Sequence, residues 1–382
     1  MQIDKFKVED WMNEYEKYCL YDLGNTTVNT LSLNELFEIC NVEKTEFLNK
    51  LSSNILGYGD ITGNKELKKH IANLYKTLTA NEIVTTIGAS GANHLVFYSL
   101  IEPDDEVVSV IPTYQQLYSI PKSFGANVSC LKLTNKNNFS IDIDELNSLV
   151  TSKTKLICIN NPNNPTGALL EKEQLKQIIE IARKNDCYIL CDEVYRGLEH
   201  NHKVFPPSQP SIADMYEKGI VTSSMSKTFS LAGVRLGWIA TKNKKILSEI
   251  ISHREYNMIS CSILNEAISK LALTNAQKII TRNQKTIIES LEILDNWIKS
   301  QKQFSYVKPK AGTTALIYYD LQIKSAELCD RLAKEKGVFL TPGSCFGMEY
   351  CFRIGYCRGI NQLKTGLSKI EEFVDELVCN KI

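Results

Sequence analysis

The sequence predicts an α/β protein: a mostly parallel, doubly wound sheet with a smaller α+β domain beside it. Three observations predict it. Between residues 82 and 240, strand-like apolar runs alternate with helix-like segments, the pattern of βα units. Polar clusters follow several of those runs, at the strand ends where ligands of such sheets bind. From Lys245 onward the pattern changes to long helices, and then to short strands mixed with helices.

Taken in order, residues 5–18 read as a helix carrying Phe6, Trp11, Tyr15 and Tyr18, favoured here as core packing, with a lid over a site as the alternative. Leu23-Gly24-Asn25-Thr26-Thr27 is a polar turn, and Ser32 with Glu35 forms a Ser-x-x-Glu capping box that opens the next helix. The loop Tyr58-Gly59-Asp60-Ile61-Thr62-Gly63 precedes a helix over 65–78 with apolar residues at helical spacing. A strand over 82–87 runs into Gly88-Ala89-Ser90-Gly91-Ala92-Asn93, read as a small-residue turn, with a helix from about 94 to 100. Free backbone N–H groups at such a turn can cradle an anion. The turn is neither a Walker A loop nor Gly-x-Gly-x-x-Gly, which counts against ATP and dinucleotides.

Further strands are expected over 106–111, 127–133, 155–160, 187–191, 220–223 and 236–240, with a helix over 172–184. Beyond them, helices are expected over 245–255, 263–273 and 276–302. Short strands over 315–319 and 351–356 then accompany helices over 326–336 and 362–379. The corresponding division is residues 1–50 as an N-terminal segment of the small domain, 51–280 as the large domain and 281–382 as the rest of the small domain.

Composition narrows the function. Hydrophobic residues make up 43% and charged residues 23%, enough apolar side chains for a sizeable core. The formal net charge is +0, which removes the electrostatic footprint of a nucleic-acid or anionic-membrane binder. No signal-peptide core and no long charge-free apolar stretch occurs, so a cytoplasmic protein is expected. The 12 cysteines form no Cys-x-x-Cys pair and the 5 histidines do not cluster with them, so no metal is expected. Scattered thiols fit a reducing compartment, most of them buried as small apolar groups.

The most informative stretch runs from Ser224 to Arg235 between two apolar runs. It holds Ser224, Ser226, Lys227 and Arg235, so one loop could aim the lysine and the arginine at one small ligand. A buried lysine amine becomes a nucleophile that holds an aldehyde as a Schiff base, and a guanidinium with hydroxyls suits a phosphate. An aldehyde and a phosphate on one molecule describe pyridoxal 5′-phosphate. Alone, the stretch fits an exposed surface loop equally well; the rest of the chain decides.

Asn-Asn-Pro-Thr-Gly at 163–167, Asp-x-x-Tyr at 192–195, Ser-x-Ser-Lys at 224–227, Gly-x-Arg at 233–235 and Phe-Arg-Ile at 352–354 occur in one order. In this the chain resembles the fold-type I, pyridoxal phosphate-dependent aminotransferases of class I/II, from about Tyr58 to the C-terminus. The resemblance implies that Lys227 is the Schiff-base lysine and carries a proton from the substrate Cα. It implies that Asp192 partners the pyridine nitrogen, and that Tyr195 and Asn164 hydrogen-bond the cofactor's phenolic oxygen. Tyr114 matches the ring against the pyridine face. Ser90, Gly91, Ala92, Asn93, Ser224, Ser226 and Arg235 match the phosphate cradle. Arg353 resembles the arginine that pairs bidentately with the substrate α-carboxylate. Asn164 and Gly24 fall where the substrate is contacted. Tyr58 matches a tyrosine that reaches the phosphate of a neighbouring subunit, which implies a homodimer with sites at the interface.

The activity so implied is amino transfer between an L-amino acid and a 2-oxo acid. A carbon–sulfur β-eliminating lyase, or a cyclase or oxidase acting on a modified arginine, would use the same lysine. A non-catalytic, cofactor-binding regulatory domain is disfavoured, because no basic helix-turn-helix segment precedes the first motif. No second arginine for a side-chain carboxylate is identifiable.

Overall fold

Strands buried on both faces should read as unbroken apolar runs whose residues alternate between two cores. Residues 156–159 do so. Ile157 and Ile159 pack into one hydrophobic cluster, Leu156 and Cys158 into another. Ile189 and Cys191 against Leu190 repeat the alternation on the neighbouring strand. In the computed structural model, which describes residues 2–200, 207 and 209–379, these strands lie inside a seven-stranded sheet.

The sheet runs in the spatial order Ile83–Ile87, Leu236–Ala240, Gly219–Ser224, Tyr188–Asp192, Thr154–Asn160, Glu106–Ile111 and Asn127–Lys132. Every pairing is parallel except the two made by Leu236–Ala240, which is antiparallel to both neighbours. Six strands therefore end at one edge of the sheet, and the antiparallel strand starts there. That edge gathers Gly88, Arg235, Ser224, Asp192, Asn160 and the loop after Ile111. A single topological fact thus brings segments 100 residues apart to one place.

Beyond Ala240 the chain forms helices Lys244–Asn257, Ile263–Thr274 and Ala276–Ser300. A four-stranded antiparallel sheet follows, in the order Thr341–Pro342, Cys351–Gly355, Thr314–Tyr319 and Phe304–Tyr306. Helices Ser325–Lys336 and Ile360–Cys379 share its core, which includes Leu328, Phe352, Ile354, Leu367 and Phe373. The N-terminal segment joins this part of the chain, Tyr21–Asp22 pairing in parallel with Val338–Phe339.

Three expectations need correction. The helix placed from about residue 94 begins at Gly88 and runs to Leu100. Gly88 has φ +68°, a conformation open to glycine, and the chain turns from strand into helix there without a loop. The helix placed over 65–78 ends at Ala72. The N-terminal helix is Lys7–Tyr15, and its aromatic residues are core only in part: Val8 is its buried residue and the half-buried Trp11 packs against the small-sheet core, while Tyr18, beyond the helix end, is 83% exposed. Nine of the cysteines are buried and the described chain has no disulfide. No described helix is long and apolar enough to cross a membrane, and no described His, Cys, Asp and Glu cluster could hold a metal ion.

Candidate active site

The strand ends and the small sheet enclose a cavity of about 440 Å³. Lys227, Asp192, Tyr195, Asn164, Tyr114, Ser90, Ser224, Ser226, Arg235 and Arg353 all line it.

Asp192 closes its strand at the centre of the sheet edge and is 3% exposed. Its Oδ2 accepts from Asn93 Nδ2 at 3.0 Å and its Oδ1 from the Val194 N–H at 3.1 Å. Burial raises its pKa above the usual carboxylate value, while those two donors and the Lys227 charge oppose the rise. No ion pair shorter than 4.0 Å ties it to a described cation. Asn93, placed by sequence in the phosphate cradle, points here instead. Its carbonyl oxygen accepts from Thr222 Oγ1 at 2.6 Å, which fixes the amide so that its NH₂ meets the carboxylate. Asn160 adds a second brace, its Nδ2 donating to the Asp192 carbonyl at 2.9 Å and its Oδ1 accepting from the Asn164 N–H at 2.7 Å.

Lys227 is half-buried and its amine donates to Thr26 Oγ1. Burial, with Arg353 and Arg235 nearby, brings its pKa down to about 8. A neutral amine is therefore accessible near neutral pH, the property a nucleophile or a proton acceptor needs. Thr26 escaped the sequence reading, which took only Gly24 from its loop.

The anion cradle is built where Arg235 meets the start of the Gly88–Leu100 helix. Arg235 sits at φ +51° and its Nη1 donates to the Ala232 carbonyl at 2.9 Å and to Ser226 Oγ at 3.4 Å. A Cβ on Gly88 would overlap its guanidinium. The first-turn amides of a helix have no partner within it. With the helix starting at Gly88, those amides belong to Ala89 and Ser90, which line the cavity. Gly91 and Ala92 lie within the helix and off the cavity wall. Ala89 is thus a lining residue that the late helix start concealed.

Arg353 is 2% exposed at the centre of the small sheet. Its Nη1 donates to Asn164 Oδ1 at 3.2 Å and its Nη2 to the Gly24 carbonyl at 2.9 Å and Thr341 Oγ1 at 3.0 Å. Gly24 packs so tightly on Phe339 that any side chain there would strike the ring. Tyr58 is not brought to this cavity within the chain. It is 83% exposed and lines a separate depression with Asp60, Glu266 and Lys270.

The donor set fits pyridoxal 5′-phosphate on features of the structure itself. Tyr195 Oη and Arg353 Nε are buried with no hydrogen-bond partner, and an unsatisfied buried polar atom is costly unless a ligand satisfies it. Asp192 is a buried carboxylate without a bonded cation among the described residues, and the Ala89 and Ser90 amides, the serines and Arg235 line the same cavity.

The family model described as aminotransferase class I and II matches residues 26–370. The solved structure of a PLP-dependent aminotransferase from Streptococcus suis is 38% identical, with each chain covered to 99% and a TM-score of 0.95. Capreomycidine synthase from Streptomyces vinaceus is 27% identical over 96% of this chain and 92% of its own length. An aspartate aminotransferase from Thermotoga maritima is 26% identical over 83% of each. The fold, the cavity chemistry and these relatives agree: the chain belongs to the class I and II aminotransferases, enzymes of fold type I whose cofactor is pyridoxal 5′-phosphate.

Proposed function

We propose that this chain moves an amino group from an L-amino acid to a 2-oxo acid, and that Lys227 and Asp192 are its central residues. The observation that carries the reading is that both side chains line one cavity, which Arg353 also lines. Lys227 Nζ would hold the cofactor's carbonyl carbon. Asp192 would keep the pyridine nitrogen protonated, braced by Asn93 and the Val194 N–H. Tyr195 Oη and Asn164 would bond the phenolic oxygen, and Tyr114 would cover the ring. Ser224, Ser226, Arg235 and the Ala89 and Ser90 amides would take the phosphate. When bound, the cofactor supplies an electron sink for the pair left behind as the substrate Cα loses its proton.

The chain's own work is orientation and proton transfer. Arg353, already fixed by Asn164, Gly24 and Thr341, offers its guanidinium to the α-carboxylate and so sets the Cα–H direction. Lys227 Nζ, with a pKa near 8, accepts that proton and holds it for return. The cover is the N-terminal helix, whose Val8, Glu9 and Met12 face the cavity and limit the entry of water. Tyr58, exposed and remote, supports the reading of a homodimer in which it reaches a neighbour's phosphate.

The test is spectroscopic. The purified holoenzyme is mixed with a panel of amino acids without an acceptor, and conversion of the cofactor to its amine form is followed by absorbance. Conversion, reversed by a 2-oxo acid, is the expected result. No conversion across the panel, with pyruvate and ammonia released from cysteine or cystathionine, would replace this reading by the β-eliminating lyase. The similarity to capreomycidine synthase over 96% of the chain favours a second reading, a synthase acting through the same lysine; consumption of the amino acid with the cofactor still in its aldehyde form, and with no ammonia or 2-oxo acid released, would favour it.

A further inference from the structure

Five charged side chains line the cavity: Glu9, Asp192, Lys227, Arg235 and Arg353. The proposed reaction occupies four of them, with the pyridine nitrogen, the carbonyl carbon, the phosphate and the α-carboxylate. Glu9 is left over. It is half-buried on the N-terminal helix, and its Oε1 accepts from Tyr114 Oη at 3.4 Å. It forms no ion pair among the described residues. Its charge still favours the protonated forms of both Lys227 and Arg353, so it acts within the same small volume as the substrate's two fixed ends.

The helix that carries Glu9 is held on both sides of the cavity. The Lys7 N–H donates to Gln115 Oε1 at 3.0 Å, beside Tyr114 on the large-sheet side. Trp11 Nε1 donates to the Leu340 carbonyl at 2.8 Å and Tyr15 Oη to Asp330 Oδ1 at 2.6 Å, both on the small-sheet side. Phe6 packs on Tyr114 with ring centroids 5.0 Å apart. The carboxylate is therefore positioned by a fastened element. The remaining lining from the N-terminal part of the chain, Val8, Met12, Asn25, Thr26 and Thr27, carries no charge.

We infer that Glu9 is a specificity-determining residue, and that it selects an amino donor whose side chain ends in a cation, an ammonium or a guanidinium. The inference rests on the aminotransferase reading above. With the α-carboxylate on Arg353 and the α-amine toward Lys227, a side-chain cation finds one carboxylate with a free charge, Glu9. A side-chain carboxylate finds that same negative charge and no unassigned cation in the lining. Partly buried charge complementarity of this kind separates partners chiefly by penalising the wrong sign.

L-Arginine and L-citrulline nearly match in shape and differ in side-chain charge, so they isolate the effect. The holoenzyme, without acceptor, is titrated with L-arginine, L-citrulline, L-glutamine and L-glutamate, and the dissociation constant of each is read from the cofactor's absorbance. The native protein is expected to bind L-arginine about tenfold or more tighter than L-citrulline, and L-glutamate weaker than L-glutamine. Glu9→Gln is expected to bring the arginine-to-citrulline ratio to within about twofold of one, and Glu9→Lys to invert the order of L-glutamate and L-glutamine. The ratio cancels any general disturbance from the lost Tyr114 contact. A native ratio near one, or a ratio unchanged in Glu9→Gln, would overturn the inference while leaving the aminotransferase reading intact. No spectral response to any of the four amino acids would overturn the inference, and the aminotransferase reading falls with it only if the wider panel also leaves the cofactor unconverted.

Discussion

Replacing Lys227 by methionine should stabilise the apoprotein. The amine's pKa falls from its ordinary value of 10.5 to about 8 on folding, chiefly because the site is buried. Holding the charged form there costs about 3 kcal/mol at pH 7. Methionine matches the lysine stem in volume and carries no charge, so packing is kept. Loss of the bond to Thr26 Oγ1 returns about 1 kcal/mol, leaving a net gain of about 2 kcal/mol. The sign with pH is fixed. Below about 8 the lysine is charged in both folded and unfolded chains, and the whole penalty is present. Above 10.5 it is neutral in both, and the penalty is gone. Urea unfolding of the two apoproteins, followed by tryptophan fluorescence at pH 7 and again at pH 9.5, measures the gap. It should favour the variant at pH 7 and shrink at pH 9.5. Equal stabilities at pH 7, or a gap that does not change with pH, would refute the claim that burial primes this amine.

Two further substitutions separate the two ends of the cavity. Asp192→Asn removes the negative charge and leaves one acceptor oxygen for the two donors, Asn93 Nδ2 and the Val194 N–H, that Asp192 serves with two. Single-turnover conversion with the best amino donor should slow by about 10²–10³, with a loss of about 1–3 kcal/mol of stability for the donor left unpaired. Gly88→Ala puts a Cβ into the Arg235 guanidinium at a residue with φ +68°. Cofactor retention, measured by dialysis and absorbance, should weaken by about tenfold, since backbone strain of this kind costs of order 1–3 kcal/mol.

Much of this site was legible because its chemistry is concentrated where the chain turns at strand ends. Asp192, Tyr195, Ser224, Ser226, Lys227 and Arg235 each sit within a few residues of an apolar run, and the run itself marks the end of the strand. The sheet was legible for the same reason: strands buried on both faces leave unbroken apolar segments such as Leu156 to Ile159. What was not legible depends on contacts between distant segments. Asn93 looks like a turn residue until the helix start at Gly88 is known and its amide is seen beside Asp192, 99 positions away. Thr26 meets Lys227 across 201 residues, and nothing local in Leu23-Gly24-Asn25-Thr26-Thr27 marks it out. The aromatics of the N-terminal helix have the composition of a core segment. Yet that helix covers the cavity, because Trp11 and Tyr15 each spend a polar atom on a distant partner. Glu9 reads as one more solvated acid in Val8-Glu9-Asp10 unless the cavity beneath it is known.

The most direct test of the central claim is to reduce the coloured holoenzyme with sodium borohydride and map the labelled peptide by mass spectrometry. Reduction fixes the cofactor permanently to whichever amine holds it. The pyridoxyl mass should appear on Lys227 alone, and Lys227→Met should carry no label under the same conditions. A label on another lysine of the native protein, or none on a protein that retains its absorbance band, would contradict the account.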